Sequence, residues 1–79
     1  MSDKLDLLTM LVRSVVKEPN KVGIKEVEED GAVTFEIKTS AMDIGQVIGK
    51  KGRTIRSINN VMNAACWKDK RKIILKVLR

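Results

Sequence analysis

Two glycines bracket two lysines in the stretch Val47-Ile48-Gly49-Lys50-Lys51-Gly52-Arg53-Thr54-Ile55, with Ile58 one helical turn further on. Glycine has no Cβ, so it lets a chain turn sharply and lets a second backbone come close. Lys50 and Lys51 place positive charge where that second backbone would lie. The spacing of Ile55 and Ile58 predicts a helix beginning just after Gly52. Its free N–H groups and positive dipole end would then point at the same spot. Such a grouping suits a phosphodiester. Arg53 and Arg56 project from the first turns of that helix, and Lys70 and Arg71 add charge further along. The plainer reading of the glycines is a tight connector between two helices. For Ile55, Ile58 and Met62 it is core packing, which serves most of them whichever reading of the loop holds.

The distribution of charge points the same way. Residues 1–48 hold six Lys/Arg and nine Asp/Glu, whereas residues 49–79 hold ten Lys/Arg and the single acid Asp69. Nearly all the basic character of this +6 chain therefore lies at or after the glycine–lysine loop. Charge segregated in this way favours a polyanion partner over a merely solvated lysine-rich surface. Other chemistries fail on residue type or spacing. The chain has no histidine and one cysteine, which removes the usual zinc sets and any internal disulfide. Gly45-x-x-x-Gly49-Lys50-Lys51 does not have the spacing of a nucleotide-binding P-loop. Asp43 and Asp69 have no second carboxylate or nucleophile beside them, so nothing suggests catalysis, a metal or a cofactor. Cys66 reads as an inert thiol on an apolar helix face.

At 79 residues and 43% hydrophobic, the chain is expected to form one small folded domain, residues 1–79. No apolar run reaches the length of a membrane span. Met1-Ser2-Asp3-Lys4 lacks the pattern of a signal peptide, and a lone cysteine suits a reducing interior, so a cytoplasmic location is expected.

The elements that must hold the loop follow from periodicity. Leu5, Leu8, Leu11, Val12, Val15 and Val16 recur at three- and four-residue steps and predict a helix over 3–17, capped by Ser2 or Asp3 and stopped by Pro19-Asn20. Residues 21–29 read as a strand whose alternation slips between Ile24 and Val27, leaving room for a bulge. Asp30-Gly31 signals a two-residue hairpin turn. In the return strand, 32–39, Val33, Phe35 and Ile37 face one way and Thr34, Glu36 and Lys38 the other. Ser40-Ala41-Met42-Asp43 ends that strand and offers caps for a short helix to about residue 48, within which Gly45 is either a weakness or a place of close packing. Ile55, Ile58, Met62, Ala65 and Cys66 trace one face of a helix over 53–66, whose other surface carries Ser57, Asn59, Asn60 and Asn63. Trp67 closes that helix, packed on the core or free to stack on a base. After the basic connector Lys68-Asp69-Lys70-Arg71-Lys72, residues 73–78 form a strand apolar on both faces, expected inside a sheet or under a groove.

The segment Val47 to Ile58 resembles the signature of the K-homology (KH) domain, Val-Ile-Gly-x-x-Gly-x-x-Ile-x-x-Ile, with every fixed position occupied. The order helix–strand–strand–helix–helix–strand is similar to the type II arrangement, found largely in bacterial and ribosomal proteins, and the resemblance covers essentially the whole chain. It implies an α+β fold, αββααβ, with a three-stranded mixed sheet and three helices on one face. It also implies that about four nucleotides of single-stranded RNA lie in a cleft beside the loop. Gly49, Lys50, Lys51 and Gly52 would hold the RNA backbone. Val47 and Ile48 would line one side, Ile55 and Ile58 the second helix, and Ile73, Ile74 or Leu75 the opposite wall. Arg53, Arg56, Lys70 and Arg71 would supply flanking charge. The scarcity of aromatic residues fits a cleft built on aliphatic contact. The expectation is a non-catalytic RNA chaperone or post-transcriptional regulator.

The resemblance also carries a second reading, an assembly module that forms a homodimer or pairs with a larger Jag-type KH protein, with Ile74 and Leu78 as its surface. A third is a duplex-binding helix–hairpin–helix, which uses a glycine turn between helices as well.

Overall fold

Val33, Phe35 and Ile37 are completely buried, and the strand that carries them, β2 (Ala32–Lys38), is the centre of the sheet. The structure is a computed structural model and describes residues 3–66, 68 and 71–79. β1 (Gly23–Glu29) pairs antiparallel with β2, and β3 (Lys72–Val77) pairs parallel with its other edge. The helices are α1 (Asp3–Val15), α2 (Ile44–Ile48) and α3 (Arg53–Ala65), with single 3₁₀ turns at Pro19–Lys21, Ala41–Asp43 and Lys50–Gly52. The fold is thus α+β with a mixed three-stranded sheet, as expected. The caps and contacts read for Ser2, Trp67, Asp69 and Lys70 lie outside the described residues.

One core joins the helices to the sheet. Leu8 and Val12 of α1, Val47 of α2 and Ile58 and Met62 of α3 meet Val33, Phe35, Ile37 and Ile73. The spacing of these helical residues is the apolar stripe read from the sequence. Only Ile24 on β1 joins them, partly buried. Its helix-facing neighbours are Glu26 and Glu28, because they stand opposite Phe35 and Val33.

That pairing also removes the bulge. The β1–β2 register runs unbroken from Gly23↔Lys38 to Glu29↔Ala32, and Val27 simply lies on the open face opposite Thr34. At the hairpin, Gly31 takes φ +76° while Asp30 does not adopt positive φ. The expected glycine does the turning alone.

Two boundaries differ from the periodicity by two residues. α1 stops at Val15, not residue 17, and a 3₁₀ turn at Pro19–Lys21 delays β1 to Gly23. Proline fixes φ and has no N–H to give a helix. In addition, the Lys17 and Glu18 N–H groups are taken by a side chain from elsewhere, described below. β3 is an edge strand and not an enclosed one. Ile73 is buried and Leu75 and Val77 are half-buried toward the helices, whereas Ile74 and Leu78 are more than a third exposed.

Among the described residues Phe35 is the largest fully buried side chain, so Phe35→Ala should lower unfolding free energy by about 3–5 kcal/mol, measured by urea denaturation. A Thr34→Ala change on the open face of the same strand should cost less than about 1 kcal/mol.

Candidate nucleic-acid interface

α2 is five residues long, too short to be stable alone. Two side chains fasten it from opposite ends. Val47 is wholly buried in the core. Asp43, directly before the helix, is also wholly buried, and its carboxylate reaches across to the exit of α1. The Lys17 N–H donates to Asp43 Oδ1 at 2.9 Å and the Glu18 N–H to Oδ2 at 2.9 Å, while the Ser40 hydroxyl donates to Oδ2 at 3.1 Å. The sequence offered Asp43 only as a cap for its own helix. It makes no such cap, and ties two distant segments instead.

At its other end α2 runs into the glycine–lysine loop. The Gly49 N–H donates to the Gly45 carbonyl at 2.8 Å, and the Gly52 N–H to the Gly49 carbonyl at 3.1 Å. Gly49 has φ 76°, ψ 170°, a region essentially restricted to glycine. A Cβ there would collide with the Thr54 side chain and lie 2.8 Å from the Thr54 backbone nitrogen. Gly52 is left-handed, at φ 73°, ψ 17°, but a Cβ on it would meet nothing within 4 Å. The two glycines therefore do different work. Gly49 lets α3 pack back against the turn, and Gly52 supplies only the bend. Between them Lys51 adopts φ 56°, ψ 26°, a conformation side chains avoid at about 1–2 kcal/mol. No side chain caps α3, so nothing from the protein competes with an anion for its N-terminus in that way.

Lys50, Lys51, Arg53 and Arg56 are all exposed, and among the described residues none forms an ion pair with a carboxylate. Val47 is buried, Ile48 and Ile55 are half-buried, and Ile58 is 5% exposed. Val47 and Ile58 are thus floor beneath the site, not surface. Helices α2 and α3 both approach β3, and the wall that β3 turns toward them is Ile73, Leu75 and Val77. Ile74 faces away.

Arg71 stands apart from the loop. Its guanidinium pairs with Glu28 at 2.9 Å, and it borders a groove of about 750 Å³ shared with Leu7, Glu26, Ala65 and Cys66. That groove adjoins the far end of α3, 13 residues or about 20 Å along the helix axis from Gly52. Cys66 is half-buried there, less enclosed than its place on the apolar stripe suggested. Acidic and basic groups share the groove, so it does not extend the positive field of the loop.

A glycine-built turn with unpaired cations, hung between two helices over a mixed sheet, defines a KH domain. Residues 5–77 match the family described as KhpA/KhpB, KH domain, and the chain belongs to that family. It is 40% identical over 74 residues to the RNA-binding protein KhpA of Thermotoga maritima, spanning 94% of this chain and 97% of that one. It is 33% identical to the RNA-binding protein KhpA of Clostridium perfringens, over 92% and 97% of the two chains. In shape it is similar to part of Aquifex aeolicus Era bound to GDP and aluminium fluoride. The TM-score is 0.70 at 17% identity, over 94% of this chain and 29% of that longer one, a likeness of fold alone.

Two predictions follow from the geometry. Gly49→Ala should destabilise by about 2–4 kcal/mol through strain and collision, and Gly52→Ala by about 1 kcal/mol through φ alone, measured by chemical denaturation. The Lys17 N–H chiefly, with those of Glu18 and the Ser40 hydroxyl, holds the Asp43 carboxyl below its ordinary 3.8 despite burial. A depressed folded pKa stabilises above the unfolded value and ceases to do so as pH falls through the folded one. Asp43→Asn should therefore be less stable than the parent at neutral pH, and the gap should narrow as pH falls below about 4, as followed by urea denaturation across a pH series.

Proposed function

We propose that this chain is a non-catalytic, single-stranded RNA-binding module, one KH unit that grips about four nucleotides at the Gly49–Gly52 loop. The observation that carries the reading is the solvent-facing turn itself. Its backbone is one that glycine makes possible, and Lys50, Lys51, Arg53 and Arg56 surround it without carboxylate partners. The relatives' shared name as RNA-binding proteins supports it.

In this reading Gly49 and Gly52 let the ribose–phosphate chain approach, and the four cations neutralise phosphates and set its position. Aliphatic contact with Ile48 and Ile55, over the buried floor of Val47 and Ile58, gives the bases a loose preference. Leu75, over the buried Ile73, forms the opposite wall. Lys70 and Arg71 add long-range attraction, with Arg71 held toward Glu28. Among the described residues no helix is long and apolar enough to cross a membrane, and we place the protein in the cytoplasm as an RNA chaperone or post-transcriptional regulator.

The exposed Ile74 and Leu78 favour a second reading, in which the uncovered sheet face holds a second copy or a larger Jag-type KH protein. Such pairing would give a weak RNA site avidity. Sedimentation with and without RNA separates the two: a tight dimer indifferent to RNA would make assembly the main task.

Lys50→Asp combined with Lys51→Asp should leave the circular dichroism and melting curve intact and abolish binding to a fluorescent single-stranded RNA. With three or four phosphates neutralised, log affinity should fall against log salt with a slope of about −2 to −3. Unchanged affinity in the folded double variant would remove the loop from the mechanism, and preference for a duplex would favour the helix–hairpin–helix reading.

A further inference from the structure

The helices cover one face of the sheet, and the face they leave open carries an uneven charge. Its residues follow from the register, since Val33, Phe35 and Ile37 are buried toward the helices. Thr34, Glu36 and Lys38 of β2 therefore point the other way. Lys25 of β1 and Lys76 of β3 are the direct partners of Glu36, so the three form one row across the sheet. The outer two stand about 10 Å apart, and Lys38 lies about 7 Å further along β2. Lys25, Lys38 and Lys76 are exposed, and among the described residues none of them is held in an ion pair. At the hairpin end of the same face the row is Glu29, Ala32 and Lys72, in which the charges balance.

Edge protection accounts for only part of this. A lysine on an edge strand keeps other strands from pairing with it, which explains Lys25 and Lys76. Lys38 lies on the central strand, where there is no edge to protect. A protein partner fits the row less well than a polyanion does. Lysine is depleted in protein interfaces, and the large apolar side chains exposed on this face are Ile74 and Leu78, each little more than a third exposed.

The position of the row points to nucleic acid. α3 starts at the loop and finishes beside the groove that Glu28 and Arg71 border, at the hairpin end of the sheet. The loop therefore lies toward the opposite end, as Lys38 and Lys76 do. Only β3 separates the two surfaces. Leu75 turns toward the helices as a wall of the cleft, and the next residue, Lys76, turns to the open face. Beyond β3 the sheet has no further strand, so a chain leaving the cleft can pass over that edge.

We propose that Lys38 and Lys76, with Lys25 behind them, form a second phosphate-binding surface. It takes the part of a single-stranded RNA that runs past the cleft, over the β3 edge and onto the open face. The lysines neutralise phosphates and read no bases, so the surface adds affinity for length and not for sequence. This rests on the loop being the RNA site, and it gives the open face to RNA in place of a protein partner.

Fluorescein-labelled oligouridines of four and of ten nucleotides separate the two surfaces, because the shorter one fills the cleft alone. Lys38→Gln with Lys76→Gln should leave the Kd of the shorter RNA unchanged and raise that of the longer about fivefold. The log–log salt slope for the longer RNA should become shallower by about 1 to 1.5. Glu36→Gln should tighten the longer RNA about twofold to threefold and leave the shorter one as it was. Equal shifts for both lengths, or none for the longer, overturn the surface. So does a change in the sedimentation of the RNA-free double variant, which would assign the face to a protein contact. The Lys50→Asp/Lys51→Asp protein is measured in parallel. If it loses the shorter RNA while the open-face variants bind the longer one like the parent, the second surface alone falls. If it binds the shorter RNA like the parent, the loop reading falls and the second surface with it.

Discussion

A helix of five residues cannot choose its own direction, and α2 is that long. Everything proposed for the loop depends on α2 being aimed from outside. One anchor is apolar: Val47, closed off from water among the residues that α1, α3 and β2 contribute. The other is electrostatic: the Asp43 carboxylate, seated on the backbone N–H groups of Lys17 and Glu18. Those two groups lie just past α1, where a helix end leaves the chain without its regular bonds. The same contact therefore ties the chain leaving α1 to the residue just before α2. A buried carboxylate without such partners would be costly, so the arrangement holds only when both segments are in place.

From that aimed helix the loop inherits its geometry. Gly49 is constrained by space, with Thr54 pressed against it, and Gly52 by torsion alone. Lys51 pays a conformational cost between them. Strain at a solvent-facing turn is tolerated where the surroundings over-determine the backbone, and here α2 and α3 do so from either side. The positive charge is then displayed on a backbone held from both sides, which would reduce the ordering cost of the proposed binding.

Much of this was legible in the residues. The alternation of Val33, Phe35 and Ile37 located the central strand because a strand buried on one face must alternate. The stripe through Ile58 and Met62 gave α3, and Gly49-Lys50-Lys51-Gly52 gave the turn. The parts that were not legible share a cause, namely that a partner distant in sequence decided them. Glu26 and Glu28 face the helices although they are charged, since β1 lies at an edge, and this made its pattern look broken. Ile74 was open between cleft wall, core and an exposed surface because its strand is apolar on both faces, and the fold decides for the open face. Asp43 looked like a local cap because its true partners are 25 and 26 residues away. Arg71 belonged to a basic run, and only the fold brings Glu28 to it.

The parallel pairing of β2 with β3 has a consequence for how the protein comes into being. Parallel neighbours require a crossover, and here the crossover, residues 39–71, contains α2, the loop and α3. A chain emerging from the ribosome can form the β1–β2 hairpin early, since its contacts are local. The segment that contains the loop is left without its sheet edge until the last strand has been made and has docked. Without β3, the hairpin would keep its own pairing while α2, the loop and α3 would lose the strand that both helices approach.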